Sequence, residues 1–99
     1  MGSSYSMRVR NLTSQTLKYE EGDDYYGCLN PGYKRITFPD IKIYIDGEGL
    51  SFYLIPSNVN TFTKGNNKFT ITVEDNNEVL LTIENISIPT AHNINNYCS

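Results

Sequence analysis

The side chains that could carry out chemistry in this 99-residue chain are one histidine, eleven carboxylates, two cysteines and eight tyrosines. A nucleophile needs a base within hydrogen-bond reach, and the histidine, His92, follows Pro89 in a polar stretch that offers no such arrangement. Asp46 and Glu48 share one turn, where both carboxylates would be exposed to solvent and would lack the contrasting environments that carboxylate catalysis needs. We therefore expect a protein that is not an enzyme, with a hydrolase using Asp46 and Glu48 as the weaker alternative.

The acidic residues indicate calcium as the candidate cofactor, because a hard cation binds several oxygens that converge from loops. A site would combine Asp46 and Glu48 with Asp23 or Asp24. Asp and Asn beside Gly are also the residues that turns favour for conformational reasons, so we expect solvated turns before a metal site. The prediction is no cofactor, with Ca²⁺ as a weak candidate.

Tyrosine is the most suggestive residue type, since its ring gives a large contact area at low entropic cost and keeps a polar end. Three tyrosines flank an acidic, Gly-rich segment at 20–32, and two lie in the most regular part of the chain at 41–55. On the solvent face of that part, Tyr44 and Tyr53 would lie diagonally and within reach of each other. The alternative is that these rings line a second layer. The candidate binding residues are Tyr25, Tyr26, Tyr33, Tyr44 and Tyr53.

The two cysteines, Cys28 and Cys98, are a possible disulfide. A bridge between them would close about 70 residues and contribute on the order of 4 kcal/mol in the chain-entropy model. Two cysteines are too few to fix a compartment, although a pair slightly favours an extracellular one.

Apolar residues at every second position predict the strands that must position these side chains. Residues 41–55 alternate throughout and predict a hairpin with a four-residue loop at 46–49, in which Ile45 faces Leu50, Ile43 faces Phe52 and Ile41 faces Leu54. We predict another hairpin from 7–11 and 16–20, a long loop at 20–32, and a strand at 33–38 closed by a proline.

The second half of the chain predicts a meander of strands at 59–63, 68–73 and 79–83. Its pattern sets Phe62 against Phe69, and then Phe69 against Ile83, Ile71 against Leu81 and Val73 against Val79. Seven to eight short strands without a helical period predict an all-β fold, a small antiparallel β-sandwich or a partly open barrel. We interpret 1–6 as an expression leader, 7–89 as a single β domain and 90–99 as a polar C-terminal tail.

Composition limits the partners. The formal charge is −3, so a nucleic-acid ligand is not expected, and no apolar run is long enough to span a membrane. The leading hypothesis is a non-enzymatic binding module that recognises a protein or a carbohydrate through Tyr-rich loops and a Tyr-bearing sheet face. The alternatives are an assembly or inhibitor protein that acts, or self-associates, by pairing of strand edges, and a Ca²⁺-dependent module that binds a surface or a membrane.

Overall fold

The computed structural model describes residues 6–22, 25–36, 40–45, 47–53, 61–74 and 78–88. These ranges form nine strands and no helix. The strands are β1 (Ser6–Asn11), β2 (Leu17–Glu21), β3 (Tyr25–Leu29), β4 (Gly32–Ile36), β5 (Asp40–Ile45), β6 (Glu48–Tyr53), β7 (Thr61–Lys64), β8 (Asn67–Val73) and β9 (Glu78–Asn85). No helix in these ranges has the length and apolarity needed to cross a membrane.

The strands form two sheets that pack on each other. One sheet has five strands in the order β4-β1-β9-β8-β7, and the other has four in the order β3-β2-β5-β6. Every neighbouring pair is antiparallel except β1 and β9, which are parallel. The predicted small antiparallel β-sandwich is therefore confirmed. The predicted leader and tail lie outside the described residues, apart from Ser6, which pairs with Glu78.

The core lies between the sheets because each strand places alternate apolar side chains on one face. Ile41, Ile43 and Ile45 of β5 are fully buried, as are the inward residues of β1 and β9. Phe52 of one sheet stacks on Phe62 and Phe69 of the other, with ring centroids 5.5 and 5.3 Å away. These aromatic contacts join the two layers, and each adds about 1 kcal/mol to the stability gained by burial alone.

The predicted pairing of the second half is confirmed from β7 to β9. Phe62 pairs with Phe69, and the β8–β9 ladder has the predicted register, with Phe69 opposite Ile83 and Val73 opposite Val79. The turn between β7 and β8 is shorter than predicted, because Lys64 and Asn67 already pair and leave two residues between them. The meander is limited to β7–β9, since β5 and β6 belong to the other sheet.

The central hairpin forms, but its predicted register is wrong by two residues. Ile43 faces Leu50, Ile41 faces Phe52, and Ile45 faces Glu48. The loop has two residues instead of four, and Gly47 takes the positive φ of 81° that such tight loops require. A shift of two residues keeps every side chain on its predicted face, so Ile43 and Phe52 are both buried.

The first half differs more from the prediction. β1 and β2 do not form a hairpin, because β1 pairs with β4 and β9 whereas β2 pairs with β3 and β5. The predicted long loop at 20–32 is also wrong, since it contains β3, which pairs with β2 from Leu29 to Tyr25. Acidic residues before Tyr25 and Gly27 after Tyr26 obscure a strand whose own tyrosines have high β-propensity.

The chain crosses from one sheet to the other at 12–16, and Asn11 stabilises the crossing. Its side chain is 1% exposed, and its Nδ2 donates to the carbonyls of Gln15 at 2.8 Å and Leu29 at 3.0 Å. Its Oδ1 accepts from the backbone N–H of Thr13 at 3.0 Å and from the Thr13 hydroxyl at 2.6 Å. One side chain thus connects the end of β1, the crossing and β3.

Candidate functional site

The outer face of the five-stranded sheet carries a group of outward-facing polar and aromatic side chains that contact one another. Alternation in β1 directs Met7 and Val9 into the core and leaves Arg8 and Arg10 outside. The register places them beside Tyr33 and Arg35 of β4, and beside outward residues of β9. We call this group the Tyr33 face; it consists of Arg8, Arg10, Tyr33, Arg35, Glu78 and Thr82.

Two guanidinium groups hold the ring of Tyr33. The Cζ atoms of Arg8 and Arg10 lie 5.4 and 5.9 Å from the ring centroid, within the range of a cation–π contact. Arg10 Nη1 also donates to the Tyr33 hydroxyl at 3.3 Å. The residue nevertheless remains 60% exposed. The face therefore presents an aromatic ring that is open to solvent and fixed in orientation.

Glu78 forms ion pairs with two arginines at one end of the Tyr33 face. Its Oε1 lies 2.7 Å from Arg8 Nη2, and its Oε2 lies 3.5 Å from Arg35 Nη2. The Glu78 side chain is 20% exposed, so its charge is partly shielded from solvent. One carboxylate thus serves two arginines, and it fixes Arg8 between the carboxylate and the Tyr33 ring.

Arg10 differs from its neighbours because its partners are uncharged. Nη2 donates to the Thr82 hydroxyl at 3.1 Å, and Nη1 donates to Tyr33. Within the described ranges, no carboxylate forms an ion pair with Arg10, and its buried Nε has no hydrogen-bond partner. The charge of the half-buried guanidinium is not compensated by a described carboxylate, and Nη1 and Nη2 each keep one further N–H.

The charge of this sheet face is opposite to that of the chain. Its outward positions in the described strands carry four basic side chains and two acidic ones, whereas the whole chain has a charge of −3. The remaining outward positions are mostly threonine. The basic residues are Arg8, Arg10, Arg35 and Lys68; the acidic ones are Glu78 and Glu84; the threonines are Thr61, Thr63, Thr70, Thr72 and Thr82.

On the outer face of the four-stranded sheet, Tyr44 contacts two charged neighbours. The Tyr44 hydroxyl donates to Glu20 in a short hydrogen bond, and Lys18 Nζ lies 5.0 Å from the centre of the Tyr44 ring. The hydrogen bond to Glu20 raises the pKa of Tyr44 above its usual 10.0, and desolvation and the negative charge of Glu20 add to the shift. Tyr44 is half-buried, so its ring offers less surface to a ligand than Tyr33 does.

The structure does not bring the five predicted tyrosines together. Tyr33 lies on one sheet, whereas Tyr44, Tyr25, Tyr26 and Tyr53 belong to strands of the other. The backbone register does not allow the predicted diagonal contact of Tyr44 with Tyr53. Tyr44 pairs with Gly49, and Tyr53 is four residues further along β6, about 13 Å from Gly49. The side chains of Tyr25, Tyr26 and Tyr53 lie outside the described residues.

The calcium prediction stays a prediction. Asp23, Asp24 and Asp46 lie outside the described residues, and the described ones contain no group of three potential metal ligands. Glu48 is 60% exposed and forms an ion pair with Lys64 at 2.6 Å.

The remaining sequence-predicted residues are only partly described. Cys28 lies in β3 and is disulfide-bonded, while Cys98 lies outside the described residues, so the pairing of the two stays a prediction. His92 and the hydrolase candidate Asp46 are also outside. The strand edge proposed for pairing at 59–63 is described from Thr61, where β7 ends the five-stranded sheet.

The arginines and Glu78 of the Tyr33 face were not predicted from the sequence. The available signal was the alternation of Arg8 and Arg10 around Val9, an unusual concentration of positive charge in an acidic chain. Glu78 gives no local signal, because it reaches Arg8 only through the parallel pairing of β1 with β9.

Comparison with known proteins found no match to this chain among protein-family models, curated proteins or solved structures. The fold defines the class as a small all-β sandwich. Any functional assignment therefore rests on the residues of the Tyr33 face themselves.

Proposed function

We propose that this protein is a non-enzymatic recognition module that binds a carbohydrate on the Tyr33 face. The observation that supports this proposal is an exposed tyrosine ring held by two arginines. The C–H face of a sugar packs on an aromatic ring, and a ring that is already fixed loses little conformational entropy on binding.

The polar side chains around Tyr33 favour a carbohydrate over a protein partner. Stable protein interfaces bury about 800 Å² on each side around an apolar centre. On the described outward positions of this sheet, Tyr33 is the one large exposed apolar side chain, and its neighbours are arginines and threonines. Guanidinium groups and hydroxyls match the hydrogen-bonding groups of a sugar.

Binding to a glycan array, followed by calorimetric titration of the hits, tests the proposal. We expect Tyr33→Ala to weaken binding at least tenfold and Tyr33→Phe to retain most of it, because Phe keeps the ring and loses only the hydroxyl that accepts from Arg10. Tyr44→Phe on the opposite sheet is the matched control and should bind as the wild type does. A Tyr33→Ala protein that folds and binds glycans with unchanged affinity would contradict the proposal.

Strand-edge pairing is a second candidate function. β7 ends the five-stranded sheet, and its outer edge, Thr61–Lys64, pairs with no other described strand. An edge of this kind can add a strand from another chain. Light scattering over a hundredfold concentration range should then show association that a proline at Thr63 weakens; a strictly monomeric protein would exclude self-association.

A further inference from the structure

If the Tyr33 face binds a carbohydrate, we propose that its ligand is an acidic carbohydrate, whose anionic group binds Arg10 while a sugar ring packs on Tyr33. The proposal rests on the proposed function above and adds the chemical class of the ligand. A carboxylate or sulfate on a sugar presents two or more anionic oxygens, which is the arrangement that a guanidinium group binds best.

Arg10 has the donors and the charge that such a group requires. Of the five N–H groups of a guanidinium side chain, Nη1 and Nη2 each use one on the neutral hydroxyls of Tyr33 and Thr82. These two hydrogen bonds fix the orientation of the group without neutralising it. An anion that binds here gains a charge-assisted hydrogen bond and does not have to displace a carboxylate of the protein.

Neither acidic residue of the same sheet face forms an ion pair with Arg10. On β9, Glu78 is four residues from Thr82, about 13 Å along the strand, and it is paired with Arg8 and Arg35. In the other direction, Glu84 lies opposite Lys68 in the β8–β9 register. Arg10 is therefore the arginine of this face that has no carboxylate partner in the described ranges, whereas Arg8 and Arg35 share Glu78.

Arg10 also belongs to a row of side chains that crosses the whole sheet. The registers align one residue from each strand, in the order Tyr33, Arg10, Thr82, Thr70 and Thr61. Neighbouring strands are about 4.8 Å apart, so the row is about 19 Å long, and its step is comparable to one sugar unit of an extended chain. Thr82 is buried within this row and only orients Arg10, so an oligosaccharide along the row would meet the ring, the charge and then the hydroxyls of Thr70 and Thr61.

The overall charge argues against a densely charged polyanion. Nucleic acids gain affinity from many phosphate contacts, whereas the described outward positions of this sheet carry a net charge of only +2 on a chain of charge −3. A carbohydrate with sparse acidic groups satisfies Arg10 without bringing further negative charge against the rest of the protein. We expect a logarithmic salt dependence with a slope of about −1, which corresponds to one ionic contact.

The experiment compares oligogalacturonate with its methyl ester, and a sulfated oligosaccharide with its desulfated form, by calorimetric titration at several salt concentrations. We expect the acidic member of at least one pair to bind at least tenfold more tightly, and Arg10→Gln to remove this difference and the salt dependence. Lys18→Gln is the matched control, because it removes one positive charge from an exposed side chain on the other sheet, outside the Tyr33 face; its effect should stay below threefold.

The outcomes separate this inference from the proposed function. If neutral and acidic members bind equally, the acidic ligand class is wrong and the carbohydrate function stands; if no carbohydrate binds, both are wrong. Tighter binding of a single-stranded oligonucleotide than of every acidic oligosaccharide would also overturn the inference. Arg10→Lys keeps the charge without the planar group and should lose part of the preference, so the test does not depend on the folding of Arg10→Gln alone.

Discussion

Asn11 shows how a single residue can determine the path of the chain. Its amide donates to two backbone carbonyls and its oxygen accepts from two groups of Thr13, all in a site sealed from water. Aspartate has no N–H groups to donate, and a shorter side chain would not reach Leu29. The crossing between the sheets therefore requires asparagine at this position.

Replacement of Asn11 by alanine should cost about 3 kcal/mol of unfolding free energy, because it leaves buried carbonyl and N–H groups without partners. Urea denaturation followed by circular dichroism measures this loss. Thr16→Ala is the control, since the hydroxyl of Thr16 makes an exposed hydrogen bond to Asn30, and its effect should stay within about 0.5 kcal/mol. A loss below about 1 kcal/mol for Asn11→Ala would contradict this account of the crossing.

The raised pKa of Tyr44 predicts a loss of stability at alkaline pH. The folded state holds the proton more tightly than the unfolded state, so the contribution is fully present below pH 10 and declines as pH rises from there through the pKa of the folded protein. Tyr44→Phe removes this ionisation. We expect the stability difference between wild type and Tyr44→Phe, measured by urea denaturation from pH 8 to pH 11, to shift in favour of the variant above pH 10; a constant difference would contradict the shift.

At the residue scale, the sequence located Tyr33 as a binding candidate because of its type alone. It could not identify the groups that hold the ring. Arg8 and Arg10 reach Tyr33 across a strand pair that the local pattern does not specify. The buried role of Asn11 was also missed, since a polar residue at the end of a strand has the same appearance in a sequence whether it faces solvent or a core.

At the scale of elements, the two glycines of the β5–β6 hairpin are needed for different reasons. Gly47 has a φ of 81°, and open space surrounds the position that a Cβ would occupy. Gly49 lies in β6, where a Cβ would come within 2.5 Å of Lys42 Cδ and 3.3 Å of Tyr44 Cε2. Gly47 is thus needed for its positive φ. Gly49 is needed because its position leaves space for the side chains of Lys42 and Tyr44 on the neighbouring strand.

Alanine at either position should cost about 1–2 kcal/mol, from backbone strain at Gly47 and from crowding at Gly49. Asparagine separates the two causes, because it tolerates the left-handed region but is larger than alanine. We expect Gly47→Asn to be more stable than Gly47→Ala, and Gly49→Asn to be less stable than Gly49→Ala, in thermal unfolding. The same order at both positions would show that one of these causes is misassigned.

Whether the register of a strand pair could be predicted from the sequence depended on the length of its turn. The β8–β9 register was predictable because Phe69, Ile71 and Val73 meet apolar partners in one alignment. In the β5–β6 hairpin, two alignments that differ by two residues keep the same face buried, so the apolar pattern could not choose between them. The alignment that forms is the one with a two-residue loop, in which Gly47 has a positive φ of 81°.

For the whole molecule, β1 is the strand that joins β4 to the rest of the five-stranded sheet. It lies between β4 and β9, and its parallel partner β9 is the last described strand of the chain. Pairing between segments so distant in sequence leaves no local signal, and this is why the layers were predictable whereas the strand order was not. The predicted hairpin of β1 with β2 assumed that neighbours in sequence pair.

Removal of residues 1–11 should abolish cooperative unfolding, because β4 and β9 would then lack the strand that joins them and the core would lose Met7 and Val9. Removal of residues 1–5 should change the melting temperature by less than a few degrees. Differential scanning calorimetry of the two truncated chains measures both effects. A cooperative transition in the chain that begins at Leu12 would show that β1 is dispensable.

The buried amide of Asn11 has a consequence for production of the protein in a eukaryotic secretory pathway. Asn11-Leu12-Thr13 matches the acceptor pattern for N-glycosylation, in which an oligosaccharide is attached to the asparagine Nδ2. In the folded protein this nitrogen donates to Gln15 and Leu29 and has no access to solvent. A chain modified at Asn11 before folding could not form the crossing, so glycosylation there and this sandwich exclude each other.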